Sequence, residues 1–346
     1  MHGMNDGHGL GSALVDLTVK VMPMLNIPVR RIAVSLALMA AAAWGPGAMA
    51  AYPERPIKII VAFPPGSSTD IVARSLSQPL AEALGQAVVI ENRPGAGGNI
   101  GTVAVARSVA DGYTVLMHSV AYSVNPSLYS KAGYEVGKEL VGVAMAAVSP
   151  NILYVHPDVK ANTLPELLAL ARTERLAYAS SGNGTTTHLG AELLFRNLAK
   201  VEITHAPYAP ASAATAVVSG QVPVGSTSIP PVVQLAKAGK VRAIAVTSLK
   251  RSGALPQVPT VAELGYPGFE ANTWFAMMAP QGTPTEVLDR LNTEINKILQ
   301  NKAIHEGFAA QSLEAVRMDR STLDSYLAAE ARKWATVVQQ TGAKVD

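Results

Sequence analysis

The sequence predicts an α/β protein of two domains with a cleft between their sheets. Three observations carry this. A strand–turn–helix unit occurs twice in succession before residue 110, and a second alternating series starts at Asn151. What remains after an N-terminal leader is removed, 296 residues, exceeds the size that a single core usually fills. Strands alternating with helices of this length imply mostly parallel sheets covered on both faces.

The leader is read from three parts. Arg30 and Arg31 form a positive start, Ile32 to Trp44 an apolar run, and Ala48-Met49-Ala50 supplies small residues at both cleavage-determining positions. The run is shorter than the about 20 residues a spanning helix needs, and no other segment is long and apolar enough. Gly45-Pro46-Gly47 also breaks it, which speaks against an uncleaved anchor. Residues 1–50 are therefore expected to be an extension and signal peptide, cleaved near Ala51, with the product exported to the periplasm. Met1 to Pro28 fit no signal-peptide region, which points to a translation start at Met22 or Met24.

Removing residues 1–50 takes away three basic and two acidic side chains, leaving 25 basic against 23 acidic. The basic residues are scattered, without the stripe or aromatic interleaving that nucleic acid requires, so no nucleic-acid partner is expected. Cysteine is absent, which excludes a disulfide framework, a thiolate nucleophile and a sulfur metal site.

The elements follow in order. Ile57 to Phe63 is a buried-strand run, Pro64 to Ser68 a turn, and Asp70 opens a helix in which Ile71, Val72, Leu76, Leu80 and Leu84 recur before the Gly85 stop. Val88 to Ile90 leads through a glycine-rich turn into a helix from Asn99 to Ala110, and Tyr113 to Met117 is a third strand. In the second series Leu164 to Arg172 and Thr187 to Leu198 are helices flanking a strand at Leu176 to Ala179. Ile203 to Ala206, Val222 to Val224 and Val241 to Val246 are strands, with a small-residue helix at Ala211 to Ser219. Trp274 to Ala279 is expected to return to the first domain, after which only helices remain, at Glu286 to Leu299 and Ser321 to Gln340. The expected domains are 51–151 plus 273–346, and 152–272.

Three strand-to-helix loops stand out: Phe63 to Asp70, His118 to Asn125 and Ser180 to His188. Such loops lie at the carboxyl ends of strands, where α/β sheets bind ligands. None contains Lys or Arg. Helix-start N–H groups and hydroxyls, here from Ser67, Ser68, Ser119, Ser180, Ser181 and Thr185, make an anion site without a side-chain cation. The alternative is ordinary caps and tight turns. His188 is a candidate ligand contact or a residue that hydrogen-bonds its neighbouring loop, and Trp274 and Tyr208 are candidate cleft walls or core residues.

The run Gly95 to Thr102 resembles a nucleotide loop but has Ile100 where G-x-G-x-x-G needs its third glycine, and lacks the P-loop lysine. A close-packed turn is the better reading. There is no G-x-S-x-G or H-E-x-x-H, and the five mature histidines lack metal-ligand spacing. No cofactor and no metal are expected. A monomeric binding protein is the leading reading; an exported enzyme using Asp70 or His188 as acid or base is the alternative.

Several motifs then carry a resemblance. They are Tyr52-Pro53-Glu54-Arg55-Pro56-Ile57, Phe63-Pro64-Pro65-Gly66-Ser67-Ser68-Thr69-Asp70, the stretch Glu91 to Gly101, Asp111-Gly112-Tyr113-Thr114, Tyr178 to Thr185, His205-Ala206-Pro207-Tyr208, Leu255 to Glu263, and Trp274-Phe275. With them, essentially all of Tyr52 to Asp346 resembles the Bug (TctC-like) family, the periplasmic component of tripartite tricarboxylate transporters. The resemblance implies a type II periplasmic-binding-protein (Venus-flytrap) fold closing on a small carboxylate, with permease subunits or a sensor as partner. It implies a carboxylate held by the loops Phe63, Gly66, Ser67, Ser68, Asp70 and Ser180, Ser181, Gly182, Asn183, Gly184, Thr185. Two departures are visible: Ala209-Pro210 stand where the family has Lys-Gly, and Gly225-Ser226-Thr227 where it has a hydrophobic pair and Asp. Thr227 is thus expected to line a roomier distal pocket that takes a dicarboxylic or aromatic acid lacking a basic amine; the alternative is that residue 227 faces the sheet and never meets ligand.

Overall fold

A computed structural model describes residues 52–345 apart from Ala209, and the side chains of Pro210 and Ala211 are also left aside. The signal-peptide and cleavage expectations fall outside the described residues.

The first lobe is a six-stranded sheet of order β11-β4-β10-β3-β1-β2. Its strands are β1 (Ile57–Val61), β2 (Val88–Asn92), β3 (Thr114–Ser119), β4 (Leu140–Ser149), β10 (Thr273–Pro280) and β11 (Glu314–Ala315). The second lobe is a five-stranded sheet of order β7-β6-β8-β5-β9. It is built from β5 (Asn151–Val155), β6 (Leu176–Ser180), β7 (Ile203–Pro207), β8 (Val224–Ser228) and β9 (Arg242–Val246). The chain leaves the first sheet between Ser149 and Asn151 and re-enters it at Thr273.

Both sheets are mixed rather than mostly parallel. β1 pairs in parallel with β2 and β3, but β10 runs antiparallel to β3 and β4. β6 pairs in parallel with β7 and β8, whereas β5 is antiparallel to β8 and β9. The strands that return from the other lobe enter without a crossover helix, and so lack the device that makes neighbours parallel. A short strand, β11, also interrupts the expected all-helical ending.

Helix α1 (Ser68–Leu84) shows how local sequence sets the elements. Ser67 caps it by accepting the N–H of Asp70, Gly85 ends it in a left-handed conformation, and Val72, Leu76, Leu80 and Leu84 are its buried stripe. Each such side chain contributes about 1.5–3 kcal/mol by leaving water. They pack on one face of the first sheet with α8 (Thr285–Ile298) and α9 (Lys302–Ala310). The opposite face holds α2 (Asn99–Ala106), α3 (Ala121–Leu128) and α10 (Arg320–Thr341), and this apolar cluster runs without a break into the second lobe.

In the second lobe, α4 (Leu164–Thr173) and α5 (Thr186–Glu192), the latter continuing as a π turn over Leu193–Leu198, cover one face. α6 (Pro210–Val218) and α7 (Pro230–Lys237) cover the other. Helix α10 packs on α3 and β4 and also on α5, so it braces both lobes.

Candidate functional site

The two loops at the strand ends are organised by their own side chains. In the first, Asp70 Oδ2 accepts Gly66 N and Arg74 Nε, both at 2.9 Å, and Oδ1 accepts Asn92 Nδ2 at 2.9 Å. Burial works against the Asp70 carboxylate, but the hydrogen bonds and the charge of Arg74 prevail and hold it below the usual range. Its oxygens thus tie together Gly66, Asn92 and Arg74 and organise the loop. Phe63, partly buried, sets its ring edge-on to His118 at 5.1 Å. Gly66 and Ser68 are exposed and Ser67 partly so. The Ser68 and Thr69 amides have no protein acceptor, as expected at a helix start.

In the second loop, Thr185 caps α5 by accepting the N–H of His188 at 3.3 Å, and Gly184 N donates to His188 Nδ1 at 3.1 Å. Ser181 N donates to Thr187 Oγ1 at 3.0 Å, and Gly182 N to Ser180 Oγ at 3.2 Å. Ser181, Gly182, Gly184 and Thr185 are partly exposed and Asn183 is exposed, whereas Ser180 lies beneath. Tyr208 joins them, its N–H donating to Ser180 O at 3.1 Å. The amides of Thr186 and Thr187 carry no protein partner.

The second-lobe loop meets the first lobe at two points. A Cβ on Gly184 would collide with Leu128 of α3, so the second-lobe loop sits against the first lobe. Thr186 Oγ1 and Thr273 Oγ1 are 2.6 Å apart where the chain re-enters the first sheet. Ser119, at the end of β3, is buried, its N–H donating to His118 Nδ1 at 2.9 Å. The expected loop from His118 to Asn125 is in fact mostly α3, which begins at Ala121.

Three candidate contacts are enclosed by protein. Trp274 is fully buried, its Nε1 donating to Glu330 Oε2 at 2.9 Å, and forms core instead of a cleft wall. Thr227 is also fully buried, its hydroxyl donating to Ser228 O at 3.0 Å and lying 3.5 Å from Tyr154 Oη. It packs within the second lobe and does not line an open pocket. His188, 6% exposed, presents its Nδ1 to its own loop.

Two residues were not singled out from the sequence. His205 stacks on His188 with ring centroids 3.8 Å apart, and its Nε2 lies 2.6 Å from Ser180 Oγ. Burial lowers His205 to about 4, and burial with the charges of His205 and Arg196 lowers His188 to about 3. Leu128 is the other. Sequential strands commonly pair, so the adjacency of β6 and β7 was a usable signal for His205; Leu128 had none.

The Gly95 turn is close-packed. A Cβ at Gly98 would strike His118 Nε2, and one at Gly97 would come 2.7 Å from Tyr129 Oη. Among the described residues no group of three or more His, Cys, Asp or Glu could hold a metal ion, and no helix is long and apolar enough to cross a membrane.

The tripartite tricarboxylate transporter family receptor profile matches residues 72–343. Protein BugT of Bordetella pertussis is 42% identical over 299 residues, covering 85% of this chain and 91% of that protein. Among solved structures, Rpa4515 of R. palustris with adipate is 32% identical with a TM-score of 0.71, covering 85% of this chain and 100% of that one. MatC from Rhodopseudomonas palustris with bound malate is 28% identical with a TM-score of 0.68, covering 83% and 100%. The family consists of solute-binding receptors, which sets aside the exported-enzyme alternative. With two mixed α/β lobes and a family match over most of its length, the chain belongs to the TctC (Bug) family of periplasmic solute-binding proteins, with their Venus-flytrap fold.

Proposed function

We propose that this protein captures a small dicarboxylic or aromatic carboxylic acid between its lobes and delivers it to the permease subunits of a tripartite tricarboxylate transporter, or reports it to a sensor. The observation that carries the reading is the pair of capped loops, Phe63 to Asp70 and Ser180 to His188. They contain no Lys or Arg, and they leave the amides of Ser68, Thr69, Thr186 and Thr187 without protein acceptors. Unpaired helix-start amides suit a carboxylate, which gains from the helix dipole as well as from the hydrogen bonds.

The energetics are adequate. Micromolar affinity requires about 8 kcal/mol. Several hydrogen bonds to a charged group, at about 1.5–3 kcal/mol each and less ordering costs, reach that level. Relatives solved with adipate and malate support a dicarboxylate. The exported product is a monomer that starts near Ala51, and N-terminal sequencing of periplasmic material checks that start.

The test is a thermal-shift screen of aliphatic and aromatic mono-, di- and tricarboxylates, followed by calorimetry on the hits. A saturable rise in melting temperature with stoichiometric heat and no turnover is expected. Failure of every carboxylate to shift the melting temperature would refute the reading.

A further inference from the structure

We infer that the outer end of the second lobe, the end away from the loop Ser180 to His188, docks on an anionic phospholipid surface. The inference does not depend on which solute the protein carries.

Strand register defines this end. Val155 pairs with Val224 and with Arg242, Val224 pairs with Tyr178, and Leu176 pairs with Ile203. The carboxyl end of β5 and the amino ends of β6, β7, β8 and β9 therefore lie together, while Ser180, Ser228 and Asn151 mark the opposite end. Five segments meet at the outer end: 156–166, 172–175, 199–202, 219–223 and 237–242. They hold seven basic and four acidic residues, against 18 basic and 19 acidic in the rest of residues 51–346. The positive excess of the chain is thus gathered at one end.

Pairing sharpens the contrast. Among the described residues, twelve of those 18 cations form ion pairs, and none of the seven does. Two of the seven brace backbone: Arg172 Nη2 donates to Ala199 O at 3.0 Å, and Arg242 Nη1 to Val159 O at 3.0 Å and Ala161 O at 3.2 Å. The other five, Lys160, Arg175, Lys200, Lys237 and Lys240, are exposed. Arg175 and Lys200 line one groove with Arg172. Lys200 keeps its charged side chain at φ +53°, a conformation that favours glycine. Of the acids, Glu166 is engaged by Asn162 N at 2.7 Å, and Asp158 lies 3.6 Å from His156 Nδ1.

Unpaired cations on one end repel each other, and a dense array of negative charge relieves that repulsion. Protein partners are recognised by apolar and aromatic side chains at the centre of the contact. The five segments contain no aromatic residue. The exposed large apolar side chains fall outside them, and Leu198, the nearest in sequence, lines a groove with Tyr266 and Phe269. Charge without an apolar centre suits fluid headgroups, where each Lys or Arg near the surface raises partitioning by about fivefold.

The test is co-sedimentation of the exported protein with protein-free vesicles of phosphatidylglycerol or of phosphatidylcholine. In about 50 mM salt, binding to phosphatidylglycerol is expected to exceed binding to phosphatidylcholine by about fivefold or more, and to fall by a similar factor in about 500 mM salt. Equal binding to both lipids, or binding that salt does not weaken, overturns the proposal. The double variant Arg175→Glu/Lys200→Glu should lose about 10-fold or more. Arg107→Glu/Arg317→Glu makes the same change in net charge at exposed, unpaired first-lobe positions and should stay within about twofold of wild type. Equal losses in the two double variants would assign binding to net charge and overturn the proposal. So would retention only on vesicles that carry permease subunits, which would assign this end to an acidic protein face.

Discussion

Trp274 and Trp334 donate their indole N–H groups to the same oxygen, Oε2 of Glu330, each at 2.9 Å, while Lys333 pairs with the other oxygen. All three donors converge on a carboxylate that is 5% exposed, on the helix that braces both lobes beside the point where the chain returns to the first sheet. Removing one partner from a buried charged network strands the rest. Glu330→Ala is therefore expected to destabilise the mature chain by about 3 kcal/mol or more. Glu330→Gln keeps one acceptor oxygen and should cost less. Urea unfolding of the variants checks this, and a cost under about 1 kcal/mol for Glu330→Ala would show that the indoles find other acceptors.

Gly184 stands at φ +72° against Leu128. Gly184→Ala combines a left-handed alanine with a steric conflict, and a loss of about 2 kcal/mol is expected. Leu128→Ala alone costs about 2–4 kcal/mol as a buried truncation. The double variant should be more stable than the sum of the two by about 1 kcal/mol, because the shortened side chain makes room for the new methyl. Strict additivity in the cycle would mean that the two lobes do not meet at this pair in solution.

Acid should weaken the fold before its carboxylates titrate. Burial lowers His118 and His205 to about 4, and burial with neighbouring positive charge lowers His188 to about 3, against an ordinary value of 6.5. Below 6.5 the unfolded chain takes up protons that the folded chain refuses. Stability is thus complete above 6.5 and is lost as pH falls toward 4 and then 3. Glu270, raised by burial, acts in the opposite sense, so the comparison is made between variants. His205→Gln should lose less stability than wild type between about pH 7 and pH 5 in urea titrations. Parallel losses would show that His205 is not held neutral.

What the sequence revealed was mostly local. The Gly85 stop was legible because a helix end and the residue that terminates it adjoin. The loops were legible because strand ends and helix starts adjoin. β4 escaped because Val143-Ala144-Met145-Ala146-Ala147 is buried on both faces and shows no alternation. α7 escaped because it opens with Pro230-Pro231, which reads as a loop although proline suits a first helical turn. That the role of Trp274 stayed open between cleft wall and core has a different cause. Its indole could be satisfied at a cleft or in a core, and the choice is made by Glu330, 56 residues away. The partnership of Ser180 with His205 likewise depends on strand pairing.

Thr227 provides the sharpest contrast between sequence pattern and packing. Its place in the family pattern suggested a pocket residue that sets preference against amines, but its side chain is enclosed, with its hydroxyl on Ser228 O and near Tyr154 Oη. Two consequences follow from that enclosure. Thr227→Val removes one buried hydroxyl at nearly constant shape and should cost about 1 kcal/mol, from the lost hydrogen bond and the burial change at Tyr154. Thr227→Asp buries a carboxylate with no cation among its hydrogen-bond partners, and should destabilise by several kcal/mol, about 3 or more. In neither variant should the relative affinity for a dicarboxylic acid and its amino counterpart change, because neither side chain reaches the ligand. Calorimetry with such a matched pair on wild type and Thr227→Val decides the point. A shift in preference without loss of stability would return Thr227 to the pocket wall.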